Sequence, residues 1–185
     1  LVVDEPWFGA LALRLRLEAT AHVPTACVDG VTLSYNPTFI TGLTRAEQLF
    51  VVGHELLHCA LLHMTRRGHR EPMLWNCAAD FVVNLALKDS GFTTLKDVLI
   101  DEKFRDMGAE QVYAILEKQR SGSAGQKLRA AIEQAIAGFK DYGHVADAPY
   151  QNNDNGEAGE DGGITPQDLE AEWQVAVQEA TMVAQ

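Results

Sequence analysis

Lysine and arginine are missing from this chain after Lys140, while ten of its 26 acidic residues lie between Asp141 and Glu179. All 15 cations fall in the first 140 residues, where 16 acids offset them, so the net charge of −11 belongs almost wholly to the segment that follows. A basic face of the kind that tracks phosphates is absent, which argues against nucleic acid as a partner. Cysteine is scarce too. Cys27, Cys59 and Cys77 form no CxxC pair, and three is an odd number, so a reduced, cytoplasmic setting with thiols acting as small core hydrophobes is expected. No apolar run approaches the roughly 20 residues that span a bilayer. The opening LVVDEPWFGA has neither a basic n-region nor a cleavage pattern, so export is not indicated. What remains is ordinary globular material, 46% hydrophobic and 22% charged.

Two kinds of pattern organise it. Residues 6–18 begin as a helix and then alternate Leu13, Leu15, Leu17 against Arg14, Arg16, Glu18, a period of two that favours a strand. TACVDGVTLSY holds two short β-prone runs about Asp29-Gly30, a hairpin signal that ends at Asn36-Pro37. Thr44 and Glu47 form a capping box, and a helix from about 45 to 65 follows, apolar nearly all the way round. A second helix opens at Pro72 and runs to about Asp89, before Ser90-Gly91. Helices are also expected over 109–119, along an amphipathic stripe from Leu128 to Phe139, and from Thr165-Pro166 onward. Residues 147–163 read as a solvated, acidic, Gly-rich loop. An EF-hand alignment on Gly156 puts Gln151 and Gly162 where acids are required, so a calcium loop is rejected. The expected architecture is α+β and mostly helical, with residues 1–120 as the core domain and 121–185 as a helical extension.

The central helix carries HELLH at 54–58. Residues four apart lie about 40° apart around a helix, so His54 and His58 can both reach one Zn²⁺. Glu55, about 100° further round, sits beside the ion, where its carboxylate can act as a general base. Two histidines and a glutamate in so apolar a helix cost several kcal/mol unless paired or metal-bound, at order of magnitude. A third ligand is needed. His63, nine residues from His54, is half a turn out of phase on a continuous helix, and LLHM has no Gly or Pro to break it. His69 follows Gly68 and can fold back. The stronger candidate is Asp80, because Asn76, Asp80 and Asn84 form a polar stripe on the next, antiparallel helix. Asn76 and Asn84 then serve as supporting groups around the metal.

HELLH followed by WNCAADFVVN resembles a bacterial and phage family of metallopeptidase-like domains that usually stand N-terminal to a von Willebrand A-like domain. PTACVDGVTLSYNP, MGAEQVYAIL and GHVAD fit the same pattern, closely over residues 6–120 and loosely beyond. The resemblance implies a zincin-like fold with a small N-terminal β-sheet packed on the HExxH helix. It also implies a zinc ion, with His54, Glu55 and His58 in their usual roles and Asp80 matching the family's aspartate; it names no substrate, and a peptide or protein is the expected one. A substrate chain is expected to add to an edge strand, for which Val31–Tyr35 is the candidate. Tyr113, His63, His69 and Tyr35 are candidate oxyanion or substrate contacts. The alternative is a metal-binding, non-catalytic interaction module that works with a C-terminal von Willebrand A-like partner.

Overall fold

The computed structural model describes residues 5–121, 144–145 and 164–184. The expected helix over 128–139 and the acidic loop at 147–163 lie outside the described residues. The chain begins with helix α1 (Pro6–Ala12), then strands β1 (Arg16–Ala19), β2 (Ala26–Val28) and β3 (Thr32–Tyr35). Helices α2 (Pro37–Gly42), α3 (Arg45–Ala60), α4 (His63–Arg66) and α5 (Pro72–Asp89) follow. After a short 3₁₀ turn at Glu102–Phe104 come α6 (Ala109–Ser121), β4 (His144–Val145) and α7 (Pro166–Val183). The expected α+β, mostly helical architecture is what the chain adopts.

The hairpin forms where Asp29-Gly30 places it. Asp29 Oδ1 accepts from the Val31 and Thr32 amides at 2.8 and 2.7 Å, and Gly30 adopts φ 93°. β2 and β3 pair antiparallel, β1 joins β3 in parallel, and β4 joins β2 in parallel, giving the order β1-β3-β2-β4. This corrects the edge-strand expectation: Val31–Tyr35 is an interior strand, flanked by β1 and β2. A turn-and-strand reading of one segment cannot reveal its neighbours, since β1 reaches β3 only through a non-local parallel pairing. A second difference is α2, which follows Asn36 directly. The Asn36 side chain caps it through the Thr38 and Phe39 amides, and Pro37 takes the first turn.

α5 has the clearest local logic. Glu71 accepts from the Met73 and Leu74 amides, and Pro72 is the first helical residue. At the far end the Phe92 amide reaches the Leu87 carbonyl and Gly91 reaches Lys88, a Schellman closure with Gly91 at φ 85°. From Leu74 to Leu87 only Val82 and Ala86 are more than marginally exposed, so α5 is the most buried element. It separates two apolar clusters. One is built from α1, the sheet, α3 and α7, around Phe8, Leu11, Phe50, Leu169 and Trp173. The other joins α5 to α6 and the 3₁₀ turn through Trp75, Phe81, Phe104 and Leu116. At Gly53 a Cβ would meet Leu87 at 3.1 Å and Phe92 at 3.4 Å, so the missing side chain lets α3 and α5 approach closely. That approach positions the site.

Candidate metal centre

α3 starts as expected: Thr44 Oγ1 accepts from the Glu47 amide, and Glu47 returns to the Thr44 amide at 2.8 Å. It ends early. The expected helix to about Thr65 stops at Ala60, and Leu62 takes the left-handed conformation at φ 58°, ψ 34° before α4 begins. That position usually belongs to glycine, and a leucine there costs about 1–2 kcal/mol. Tertiary contacts hold the break. Arg66 Nη1 takes the Leu61 carbonyl at 2.7 Å and clasps Glu110 of α6 with two nitrogens, and Trp75 Nε1 of α5 donates to the His63 carbonyl at 2.9 Å. The turn rotates His63 back into the protein, where it is 1% exposed.

Three donor atoms converge where α3 faces α5. His54 Nε2 lies 2.9 Å from His58 Nε2 and 3.5 Å from Asp80 Oδ1, and His58 Nε2 lies 3.1 Å from the same oxygen. Ligand atoms bound at 2.0–2.1 Å in a tetrahedron stand about 3.3 Å apart, so these separations bracket what a zinc-sized cation requires. The outer nitrogens show which lone pairs are free. Asn84 spends its amide donor on the Leu99 carbonyl at 3.1 Å, so its Oδ1 is the acceptor 2.9 Å from His54 Nδ1. His54 therefore carries its proton on Nδ1 and turns the Nε2 lone pair inward. His58 Nδ1 stands 3.0 Å from His63 Nδ1. For His58 Nε2 to be a ligand, its Nδ1 donates and His63 accepts, so a neutral His63 fixes the ring. Asp80 Oδ1 has no geometrically sound hydrogen bond among the described residues. An orphaned, buried carboxylate oxygen beside two imidazole lone pairs fits a cation.

The electrostatics agree. Burial opposes a charged His54, but the adjacent Asp80 charge overcomes that and lifts its pKa to about 9. Burial also favours neutral Asp80, yet the two histidines hold its carboxyl below the ordinary range. Burial and the neighbouring His54 charge push His58 down, and burial with the His58 charge pushes His63 well down. A proton on His54 and a divalent cation thus compete for one corner. Glu55 is 1% exposed, with Oε2 lacking a hydrogen-bond partner among the described residues, and burial raises its pKa to about 7.

The remaining candidates fall in different places. Asn76 is buried one turn before Asp80. His69 is exposed in the turn after α4. Tyr35 closes β3 opposite Ala26. Tyr113 is 7% exposed, and its hydroxyl accepts from the Glu71 amide and donates to Glu117, so it braces the start of α5. A cleft opens beside the His54–Asp80 pair, lined also by Thr25 and Ala26 and by Leu95, Val98 and Leu99. Sequence reasoning missed both of these segments. Thr25 sits in a β-prone run like any other strand residue, and the 92–101 connection has no periodicity to mark it. Among the described residues no helix is long and apolar enough to cross a membrane.

His54, His58 and Asp80 are the residues whose ligand atoms cluster within metal-binding reach among those described. No curated protein and no solved structure matches the chain. A family model does match, over residues 1–185, and with this His-His-Asp centre in view the chain belongs to the family described as "Putative metallopeptidase domain".

Proposed function

We propose that this domain is a zinc-dependent metallopeptidase, with His54, His58 and Asp80 as the metal ligands and Glu55 as the general base. The observation that carries the reading is the convergence of two imidazole nitrogens and one carboxylate oxygen next to a buried glutamate whose Oε2 lacks a hydrogen-bond partner among the described residues. Two nitrogens and one oxygen are the donor set of catalytic zinc sites, which leave a position free for water or substrate. A zinc ion bound there supplies Lewis acidity toward a peptide carbonyl.

The chain's own residues supply the rest. Glu55, on the turn of α3 that carries His54, has a pKa near 7 because burial penalises its charge. A carboxylate so tuned can take the proton of an attacking water and return it to the departing amine near neutral pH. Asn84 and His63 keep the two imidazoles in the tautomer and orientation that ligation requires.

The deciding experiment compares wild type with Glu55→Gln for zinc content and for cleavage of a denatured-protein or peptide library. The expected result is equal zinc and a loss of cleavage of about 100-fold or more in the variant. Wild type and variant that both bind zinc and both leave the whole library intact would instead favour a non-catalytic metal-binding module.

A further inference from the structure

Thr25 is 4% exposed, and its Oγ1 has no hydrogen-bond partner among the described residues. A buried hydroxyl left unpaired costs stability, and protein cores rarely tolerate one without a reason. Its main chain is already engaged, since the Thr25 carbonyl accepts from the Asn36 amide at 2.7 Å. The residue lies on the wall of the cleft that also holds His54, Glu55 and Asp80. Elsewhere the cleft is largely apolar: Phe39 from α2, Phe50 and Val51 from α3, and Leu95 and Val98 from the connection after α5. Asp97, in a left-handed conformation at φ 64°, carries the connection past the cleft. The apolar wall is tied to the metal centre, because Asn84 holds the Leu99 carbonyl with its amide nitrogen and His54 with its oxygen.

These features make a cavity with a largely apolar lining that also holds one unsatisfied hydroxyl and the reactive groups, the usual composition of a ligand site. We infer that this cleft selects the substrate by seating a bulky apolar side chain beside the bond to be cleaved, with the Thr25 hydroxyl hydrogen-bonding the substrate's main chain. The inference rests on the metallopeptidase reading for its substrate class, but not for its geometry. A large apolar side chain covers Phe39, Phe50 and Val98, while an acidic one meets Glu55, Asp80 and Asp97 in the same space. The cleft therefore discriminates twice, by burial and by charge repulsion.

The test uses three hydroxamic acids that bear a benzyl, a methyl or a carboxymethyl side chain, titrated calorimetrically into the zinc-loaded protein. The benzyl compound is expected to bind at least about tenfold tighter than the methyl compound, from the added apolar area buried, and the carboxymethyl compound weakest. Val98→Asp is expected to erase the benzyl preference. Thr25→Val is expected to weaken all three severalfold while raising Tm, because it removes an unpaired buried hydroxyl. A lower Tm with unchanged affinities would mean that Thr25 serves only the fold, and would overturn its part of the inference. Equal affinities for the three compounds, or no binding of any, would overturn the cleft assignment. A clear benzyl preference in a protein that cleaves no peptide leaves the cleft standing and removes the peptidase reading instead.

Discussion

α3 and α5 meet at one centre, yet their ends are decided by opposite means. α5 begins and stops where its own residues say: Glu71 and Pro72 open it, and the Gly91 and Phe92 amides close it with the two Schellman hydrogen bonds. α3 opens just as locally, through Thr44 and Glu47, but stops at a leucine in a conformation that leucine disfavours. Nothing in LLHM signals that stop. Its causes lie far along the chain, in the Trp75 indole that holds the His63 carbonyl and in Glu110, which anchors Arg66. The break delivers His63 to His58. A helix end set by distant contacts is therefore part of the candidate metal centre, whereas one set by local capping is part of the scaffold.

The contrast can be broken most severely at the centre itself. Asp80→Ala leaves α5 with its caps intact but strips the proposed oxygen ligand, so on the proposed function zinc affinity should fall by more than about 100-fold, beyond the range typical of supporting residues. Competition with a chelating dye measures this, and near-native affinity would show that Asp80 is not a ligand. Trp75→Phe comes next. It keeps most of the packing but removes the indole hydrogen bond to the His63 carbonyl, so stability should drop by about 0.5–1.5 kcal/mol. Zinc affinity should fall roughly tenfold as His58 loses its brace. Urea unfolding and the same dye assay separate the two effects.

A smaller effect sharpens the claim about the break. In an ordinary helix interior, alanine is more stable than glycine by about 1 kcal/mol. At position 62 the order should reverse, with Leu62→Gly more stable than Leu62→Ala by about 1 kcal/mol, because only glycine is at ease at φ 58°. Equal stabilities, or alanine ahead, would mean that α3 continues through this point in solution. The smallest effect concerns the outer clasp. Burial works against the Glu110 charge, but its own backbone hydrogen bond and Arg66 prevail and hold its carboxyl below the usual 4.5. A carboxyl depressed in the folded state contributes stability that is fully present above about pH 4.5 and lost as pH falls through the folded value. Glu110→Gln should therefore flatten the fall of stability below pH 4.5 and change little in slope near neutrality. Acid titrations of the two proteins followed by circular dichroism would show it.

Much of the site could be read in advance because helical periodicity is a strong signal. HELLH fixes which side chains share a face, and the four-residue spacing of Asn76, Asp80 and Asn84 does the same for α5. Only the structure shows that Asn84 bridges His54 and Leu99. The β-hairpin was equally legible from Asp29-Gly30. The position of its second strand inside the sheet was not, since β1 pairs with β3 across intervening chain.

Residue order alone determined the elements whose causes sit within a few positions of one another: the caps, the hairpin turn, the faces of α3 and α5, and hence the pair of imidazoles. What required the folded chain were the contacts between residues far apart in sequence. These are the grip of Trp75 and Glu110 on the segment after α3, which accompanies the left-handed Leu62 and the turn of His63 toward His58, and the meeting of Thr25 and Val98 in the lining of one cleft. They depend on side chains brought together by burial of two apolar clusters around α5, and no local pattern encodes a partner that lies tens of residues away.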